Sequence, residues 1–158
     1  MAWSMESVRE AALEPSDVFR LYVDPSTWGS WGHNTRWARA DRPVVEGATV
    51  EVRAGYGKSW EVLIRRVVPD RLVQCEVRPP GVVIISTYEV QPVANGVRIR
   101  HEIEVSGRLS PAYRLVRPLY TRLLAKETRK LVELASRLLP ARAAASRHPP
   151  ATGPGERG

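Results

Sequence analysis

The sequence predicts an α+β domain in which a meander of antiparallel strands packs against one long C-terminal helix. Between Trp37 and Ser106, short β-type runs alternate with tight turns rich in glycine, proline and asparagine. After Ser110-Pro111, apolar residues recur at helical spacing as far as about Leu139. Turns this short join antiparallel neighbours, so the strands form a meander.

The chain has 158 residues, of which 43% are hydrophobic and 26% are charged. These values fit one globular domain. No apolar run approaches the roughly 18 residues that cross a bilayer. The first six residues, Met1 to Glu6, lack the basic and apolar regions of a secretory signal. We therefore expect a cytoplasmic location.

The metal-binding residue types are few and scattered. The one cysteine, Cys75, excludes an internal disulfide and a multi-cysteine metal site. The histidines His33, His101 and His148 do not have the spacing of a zinc motif. No glycine-rich nucleotide fingerprint is present. We expect neither a metal nor another cofactor.

The net charge of +7 is confined to the C-terminal part of the chain. Residues 1–110 hold 14 basic and 14 acidic residues, whereas seven arginines and lysines lie within 114–137. Such a distribution does not indicate a nucleic-acid surface spread over the fold. The basic segment is either a solvated face or a contact for an anionic membrane surface or an acidic partner.

Helix-start signals follow a first predicted strand from Trp3 to Leu13. Glu14-Pro15-Ser16-Asp17 begins one short helix. Asp24-Pro25 begins another, because aspartate accepts bonds from free amides and proline has no amide to lose at the first helical position. Glycines within 26–32 then end it. The sequence predicts two short helices before the six-stranded meander.

The last predicted strand, 97–106, alternates regularly. Val97, Ile99, His101, Ile103 and Val105 share one face, which we expect to be buried. We expect an Asn95-Gly96 hairpin that pairs Val90 with Val97. On that register, three further side chains face the interior opposite Ile99, His101 and Ile103, namely Tyr88, Ser86 and Ile84.

The predicted C-terminal helix starts at Ser110-Pro111, and Pro118 should kink or break it near Arg117. From Pro140 onward, alanine, proline, glycine and arginine dominate without large apolar residues. Such a composition does not bury enough surface to fold. We therefore assign residues 1–139 to the domain and 140–158 to a disordered tail.

Three segments carry a resemblance to a known superfamily: residues 15–19 (PSDVF), 24–31 (DPSTWGSW) and 96–107 (GVRIRHEIEVSG). With the order of elements, they resemble the helix-grip fold of the START-domain-like SRPBCC superfamily, most closely its polyketide cyclase/dehydratase branch. The resemblance covers roughly residues 3–139. It implies a deep, largely apolar cavity between a curved sheet and the long helix. The superfamily includes cyclases, lipid and sterol carriers and quinone-binding proteins, so the fold implies a pocket rather than a reaction.

His101 and Tyr88 are the candidate catalytic residues. His101 is a titratable group on an otherwise apolar strand face, and burial would keep it neutral and able to exchange a proton near neutral pH. The alternative is a core histidine that is hydrogen-bonded to a neighbour such as Ser86 or Tyr88. Tyr88 either contacts a ligand or packs structurally with its hydroxyl at the rim.

Arg66 shares a strand face with Trp60 and could hold a ligand carboxylate or phenolate; otherwise it is a solvated strand-end residue.

The resemblance implies that Trp31 and Trp37 border the cavity mouth. The alternative is that they cap the open end of the sheet. Glu127 either faces the cavity or pairs with a basic neighbour such as Lys130. The predicted ligand-binding set is Trp31, Trp37, Trp60, Arg66, Ser86, Ile99, Ile103, Leu119 and Leu123.

These expectations combine into one functional hypothesis with two alternatives. The domain binds a small hydrophobic or aromatic molecule of polyketide, lipid or quinone type. As an enzyme it would carry out a metal-independent cyclisation or dehydration, in line with the resemblance. The alternatives are a non-catalytic carrier or sensor that uses the same cavity, and an adaptor that acts through the basic residues of 114–137. No nucleic-acid partner is expected, and the oligomeric state is open.

Overall fold

A computed structural model describes residues 2–145, with side chains through residue 139. Seven antiparallel strands form one sheet in the order β1-β7-β6-β5-β4-β3-β2. The strands are β1 Trp3–Ala11, β2 Thr35–Arg39, β3 Thr49–Ala54, β4 Ser59–Val68, β5 Leu72–Val77, β6 Val83–Val93 and β7 Gly96–Ser106. The helices are α1 Pro15–Tyr22, α2 Trp28–Trp31, α3 Ser110–Tyr113 and α4 Arg117–Ala145. The predicted α+β helix-grip architecture is confirmed.

The first strand closes the sheet beside the last one. β1 pairs antiparallel with β7, with Trp3 opposite Val105 and Ala11 opposite Val97. The strands β2 to β7 follow one another as a meander. The long helix α4 packs across β1 and β7 and contacts α1 and α2. A space therefore forms between the concave sheet and the helices. Within residues 2–145, no helix is long and apolar enough to span a membrane.

The two short helices lie where their start signals predict. At the start of α1, the Glu14 amide donates to the Asp17 carboxylate at 3.1 Å. Asp24 caps the following 3₁₀ turn by accepting the Ser26 amide at 3.1 Å. α2 then ends at Gly32, where an added Cβ would lie 2.7 Å from the Trp28 carbonyl oxygen. The chain leaves the helical conformation at Gly32, where ψ is 141°, and residue 33 then lies beside α4.

The register of β6 and β7 differs from the expected one by two residues. Val90 pairs with Ile99 rather than Val97, and Tyr88 pairs with His101. The connection is Ala94-Asn95, since Val93 already pairs with Gly96. A shift of two residues keeps every side chain on its face. The pairing was therefore wrong, while the inward-facing set was right.

A β-bulge in β4 decides between the two alternatives for Arg66, in favour of a solvated residue and against the predicted ligand contact. Ile64 pairs with Cys75 and Arg66 with Gln74, so Arg65 is an extra residue in the strand. The bulge reverses the alternation after Ile64. Arg66 consequently lies exposed on the outer face, whereas Val67 packs against the core.

The C-terminal helix is broken near Arg117, as the sequence predicts. α3 is followed by a 3₁₀ turn over Arg114–Val116 before α4 begins. Pro118 lies in the first turn of α4, where a missing amide removes no helical hydrogen bond. α4 continues to Ala145, beyond the helix end expected near Leu139. Of the predicted tail, residues 146–158 lie outside the described residues.

Candidate functional site

A cavity of about 210 Å³ lies between the concave face of the sheet and the segment that leads into α4. It is many times larger than the roughly 10–15 Å³ that one water molecule requires. Its wall includes Tyr56 and Val116, both exposed to solvent, so the cavity opens at that end. Aromatic rings form much of the wall: Trp3, Trp28, Tyr56, Trp60, Tyr88, Tyr113 and Tyr120.

The charged side chains around this wall are few. In the described part of the chain, no lysine or arginine lines the cavity. The Glu76 carboxylate is bound by Arg78 and Arg65. Burial by itself would raise the pKa of Glu76, but the hydrogen bonds from these two arginines hold it below its ordinary value. No cluster of three or more potential metal ligands occurs within the described range.

His33 is a titratable residue of the wall that is held by a buried carboxylate. Its Nδ1 lies 2.5 Å from Oε2 of Glu127, and its backbone amide donates to the same oxygen at 2.8 Å. The Tyr120 ring packs edge-on against the imidazole, with 6.1 Å between the ring centroids. Nε2 has no hydrogen-bond partner among the described residues. The side chain is 18% exposed and His33 lines the cavity, and Nε2 is the ring nitrogen that Glu127 leaves unbound.

Glu127 and His33 form a buried carboxylate–imidazole pair. Burial would raise the pKa of Glu127, but His33 and His101 lower it well below its ordinary range. Burial would lower the pKa of His33, yet the attraction and hydrogen bond of Glu127 raise it above its ordinary value. The carboxylate therefore stays ionised and stabilises a proton on the His33 imidazole.

His101 lies behind the cavity wall. It is fully buried, with Nδ1 2.7 Å from Oε1 of Glu127 and Nε2 3.0 Å from the Tyr22 hydroxyl. An ionised Glu127 accepts a hydrogen bond from Nδ1–H, which leaves Nε2 to accept one from Tyr22. The geometry fits the core-histidine alternative, although the partners are Tyr22 and Glu127 rather than Ser86 or Tyr88. Both ring nitrogens are engaged, so this placement corrects the expectation that His101 meets a ligand.

Tyr88, Ser86, Trp60 and Ile103 do line the cavity. Burial, followed by the nearby Glu127 charge, raises the pKa of Tyr88 well above its ordinary value. The phenol therefore remains protonated near neutral pH. It can donate a hydrogen bond to a ligand, but it does not act as a base.

The remaining predicted ligand-binding residues lie away from the wall. Trp31 is buried against Tyr22 and Tyr88, and the Arg39 guanidinium stacks 4.9 Å from the centre of the Trp37 ring. Ile99 is buried in the core, Leu123 is half-buried outside the wall, and Arg66 is on the outer face.

Leu119 is 57% exposed, which corrects its predicted position on the cavity wall. The face of α4 that packs on the sheet and the cavity runs through Tyr120, Leu124, Glu127 and Leu131. Leu119, about 100° around the helix from Tyr120, turns outward.

Sequence reasoning missed the pairing of His33 with Glu127 and the wall residues Tyr113 and Tyr120. One signal for them was present. Tyr113, Tyr120 and Glu127 follow one another at intervals of seven residues, which places side chains on one helical face. The apolar stripe also passes directly over Glu127. An acidic residue inside such a stripe indicates a buried partner of opposite or adjustable charge.

A curved antiparallel sheet, gripped by a long helix around an aromatic cavity, defines a ligand-binding helix-grip domain. A family described as "Polyketide cyclase / dehydrase and lipid transport" matches residues 2–136. The chain therefore belongs to this family. None of the curated proteins matches the sequence.

Solved structures share the fold at low sequence identity. Protein MLL2253 of Mesorhizobium loti has a TM-score of 0.67 and 17% identity, covering 85% of this chain and 98% of its own. Norcoclaurine synthase of Thalictrum flavum, in complex with a transition-state analogue, has a TM-score of 0.67 and 16% identity, covering 87% and 96%. DynU16, from the dynemicin biosynthetic locus, has a TM-score of 0.66 and 14% identity, covering 88% of this chain and 48% of its own. At these identities the likeness is one of fold.

Proposed function

We propose that this protein is a cyclase/dehydratase-like enzyme that binds a small aromatic or polyketide-like molecule and moves a proton with His33. One observation carries the proposal: an open imidazole on the wall of an aromatic cavity is backed by a buried, ionised carboxylate at 2.5 Å. A histidine held in this way combines a fixed orientation with a shifted pKa, as general acid–base catalysis requires.

The lining supports a neutral or phenolic aromatic ligand. Trp60, Tyr113 and Tyr120 offer flat apolar surfaces, and the hydroxyls of Ser86 and Tyr88 offer hydrogen bonds. The described wall has no lysine or arginine to hold a carboxylate or phosphate inside. A norcoclaurine synthase of similar fold has been solved with dopamine and hydroxybenzaldehyde. Aromatic ligands of that size are reasonable first probes.

In the proposed reaction, Nε2 of neutral His33 removes a proton from a carbon next to a ligand carbonyl. The enolate oxygen accepts a hydrogen bond from the Tyr88 phenol, while Glu127 stabilises the imidazolium. The enolate carbon attacks a second carbonyl of the same molecule, and His33 returns its proton to the resulting alkoxide. His33 then removes a second proton from the carbon next to the carbonyl, and the hydroxyl group leaves as water after it is protonated. Neither step needs an oxidant or a reductant.

His101 becomes a positioning residue in this proposal. It holds Oε1 of Glu127, which leaves Oε2 for His33. A non-catalytic carrier or sensor is the second candidate, supported by the apolar wall and by the lipid transport named in the family description. The two candidate functions differ in whether His33 transfers a proton to or from the bound ligand.

The experiment begins with native mass spectrometry of the purified protein and identification of any bound small molecule. Catalysis is then measured by NMR as exchange of the α-protons of 4-phenyl-2-butanone in deuterated water, a readout of proton abstraction. We expect His33→Gln to reduce the exchange rate by about 100-fold while ligand affinity changes less than about twofold. Glu133→Gln, on the exposed face of α4, serves as the control and should retain the rate. An unchanged rate in His33→Gln assigns the cavity to a carrier.

A further inference from the structure

The cavity mouth is built from three segments at one end of the sheet. The β3–β4 turn brings Tyr56, the β5–β6 turn brings Pro79–Gly81, and residues 107–120 lead into α4. An added Cβ on Gly81 would lie 2.8 Å from Cδ1 of Leu109, so the Leu109 side chain rests against that turn. The segment around residue 109 is therefore part of the rim.

Apolar side chains are concentrated at this rim and remain uncovered. Five of the nine exposed large apolar residues in the described chain belong to it, including Leu115 at 84% and Leu119 at 57%. Single exposed leucines are common on protein surfaces, whereas a group at the entrance to an apolar cavity indicates contact with another apolar phase.

The same segment carries unbalanced positive charge. No aspartate or glutamate occurs between Glu104 and the buried Glu127. The exposed cations within this interval form no ion pair with any residue of the described range; they are Arg108, Arg114, Arg117, Arg122 and Lys126. The surface around the exposed leucines is thus complementary to an anionic partner.

We propose that residues 108–122 dock onto an anionic lipid surface, with Leu115 and Leu119 in the headgroup region and the arginines on lipid phosphates. Interleaved arginines and apolar side chains are typical of segments that lie in a membrane interface. The inward face of the same segment, formed by Tyr113, Val116 and Tyr120, lines the cavity. Docking turns the mouth toward the bilayer, so a hydrophobic ligand enters without crossing water. This combination favours a lipid surface over an acidic protein.

The inference is tested by sedimentation of the full chain with sucrose-loaded vesicles. We compare pure phosphatidylcholine with phosphatidylcholine containing about one-third phosphatidylglycerol. We expect binding to the anionic vesicles alone, weakened as salt rises from about 0.1 M to 0.5 M, because the Debye length shortens. Equal binding to both compositions, or to neither, overturns the inference. So does tight binding to an acidic protein without any binding to vesicles.

Variants then locate the contact. Arg114→Gln/Arg117→Gln should lower partitioning by roughly 30-fold, since each basic residue near the surface contributes about fivefold. Leu115→Ser/Leu119→Ser should lower it by about tenfold. The matched control is Arg66→Gln/Arg71→Gln, which removes two exposed arginines from the strand β4 and the β4–β5 turn. An equal loss in the control, or no loss in the leucine variant, overturns the inference. His33→Gln should bind vesicles as the wild type does, so docking and catalysis fail separately.

Discussion

Glu127 and His33 are 94 residues apart in the chain, yet Oε2 of Glu127 lies 2.5 Å from Nδ1 of His33. The other oxygen of the same carboxylate lies 2.7 Å from Nδ1 of His101 on β7. A carboxylate with an almost completely buried side chain is thereby shared by two imidazoles. The helix α4 is consequently tied both to the sheet and to the segment that follows α2.

Replacement of this carboxylate should destabilise the fold. We expect Glu127→Gln to lower the free energy of unfolding by about 2 kcal/mol, because it removes the buried charge that holds two imidazoles. The loss stays near this value because glutamine keeps the side-chain volume and one hydrogen-bond acceptor. Urea denaturation followed by circular dichroism measures it. Glu133→Gln, an exposed change of the same chemistry on α4, should alter stability by less than about 0.5 kcal/mol.

The pH dependence of stability follows from the same pair. The pKa of His33 is raised above its ordinary 6.5, so its contribution is complete below pH 6.5 and is lost as pH rises through the raised value. The pKa of Glu127 is lowered from its ordinary 4.5, so its contribution is complete above pH 4.5 and is lost in more acidic solution. We therefore expect the free energy of unfolding to be greatest between pH 4.5 and pH 6.5.

Urea midpoints measured across this pH range test the assignment. His33→Gln should remove the decline above pH 6.5 and leave a decline in acid. Glu127→Gln should reduce the acid decline without abolishing it, because Glu76 also has a lowered pKa and loses its arginine contacts on protonation. A decline above pH 6.5 that persists unchanged in His33→Gln would mean that another group causes it.

The buried thiol on the cavity wall should be nearly inert. Burial, with a smaller contribution from Glu127, raises the pKa of Cys75 from 9.0 to about 12. Because the thiolate is the nucleophile, alkylation by iodoacetamide near pH 8 should be about 1000-fold slower than for an unfolded thiol. Mass spectrometry with and without urea measures the two rates. Fast alkylation of the folded protein would contradict the raised pKa.

Local sequence signals predicted the fold well because the start of each helix and the alternation of each strand depend on residues that are close together in the chain. The Asp24-Pro25 cap and the alternation in β7 depend on neighbours in the chain, and both were read correctly. The outward position of Arg66 could not be predicted in this way, because the bulge at Arg65 exists only in the pairing of β4 with β5. The outward rotation of Leu119 likewise follows from the packing of α4 on the sheet.

The candidate site was harder to predict than the fold. The alternation of side chains along β6 correctly placed Tyr88 and Ser86 on the inner face. An error of two residues in the register does not change which face a side chain is on. The role first given to His101 is transferred in our proposal to His33, since Glu127 holds both and only His33 reaches the cavity. The apolar stripe around Glu127 indicates a buried partner, but no local pattern identifies that partner as His33, 94 residues away.

The close approach of β1 to the β6–β7 hairpin gives the last prediction. Gly96 has φ of +147°, and an added Cβ would lie 2.0 Å from the Ala11 carbonyl oxygen. Both observations require glycine, because the clash involves backbone that is fixed by the pairing of β1 with β7. Gly47 also has a positive φ, +83°, but an added Cβ there meets nothing within 4 Å.

The two glycines therefore separate backbone strain from steric exclusion. Gly47→Ala should cost about 1 kcal/mol of unfolding free energy, from the unfavourable dihedral alone. Gly96→Ala should cost at least about 3 kcal/mol, because β1 must move away from β7 to admit the methyl group. Urea denaturation compares the variants, and hydrogen exchange of the β1 amides shows where the structure opens. Equal costs at the two positions would mean that β1 yields easily, and that its register with β7 does not hold the sheet closed.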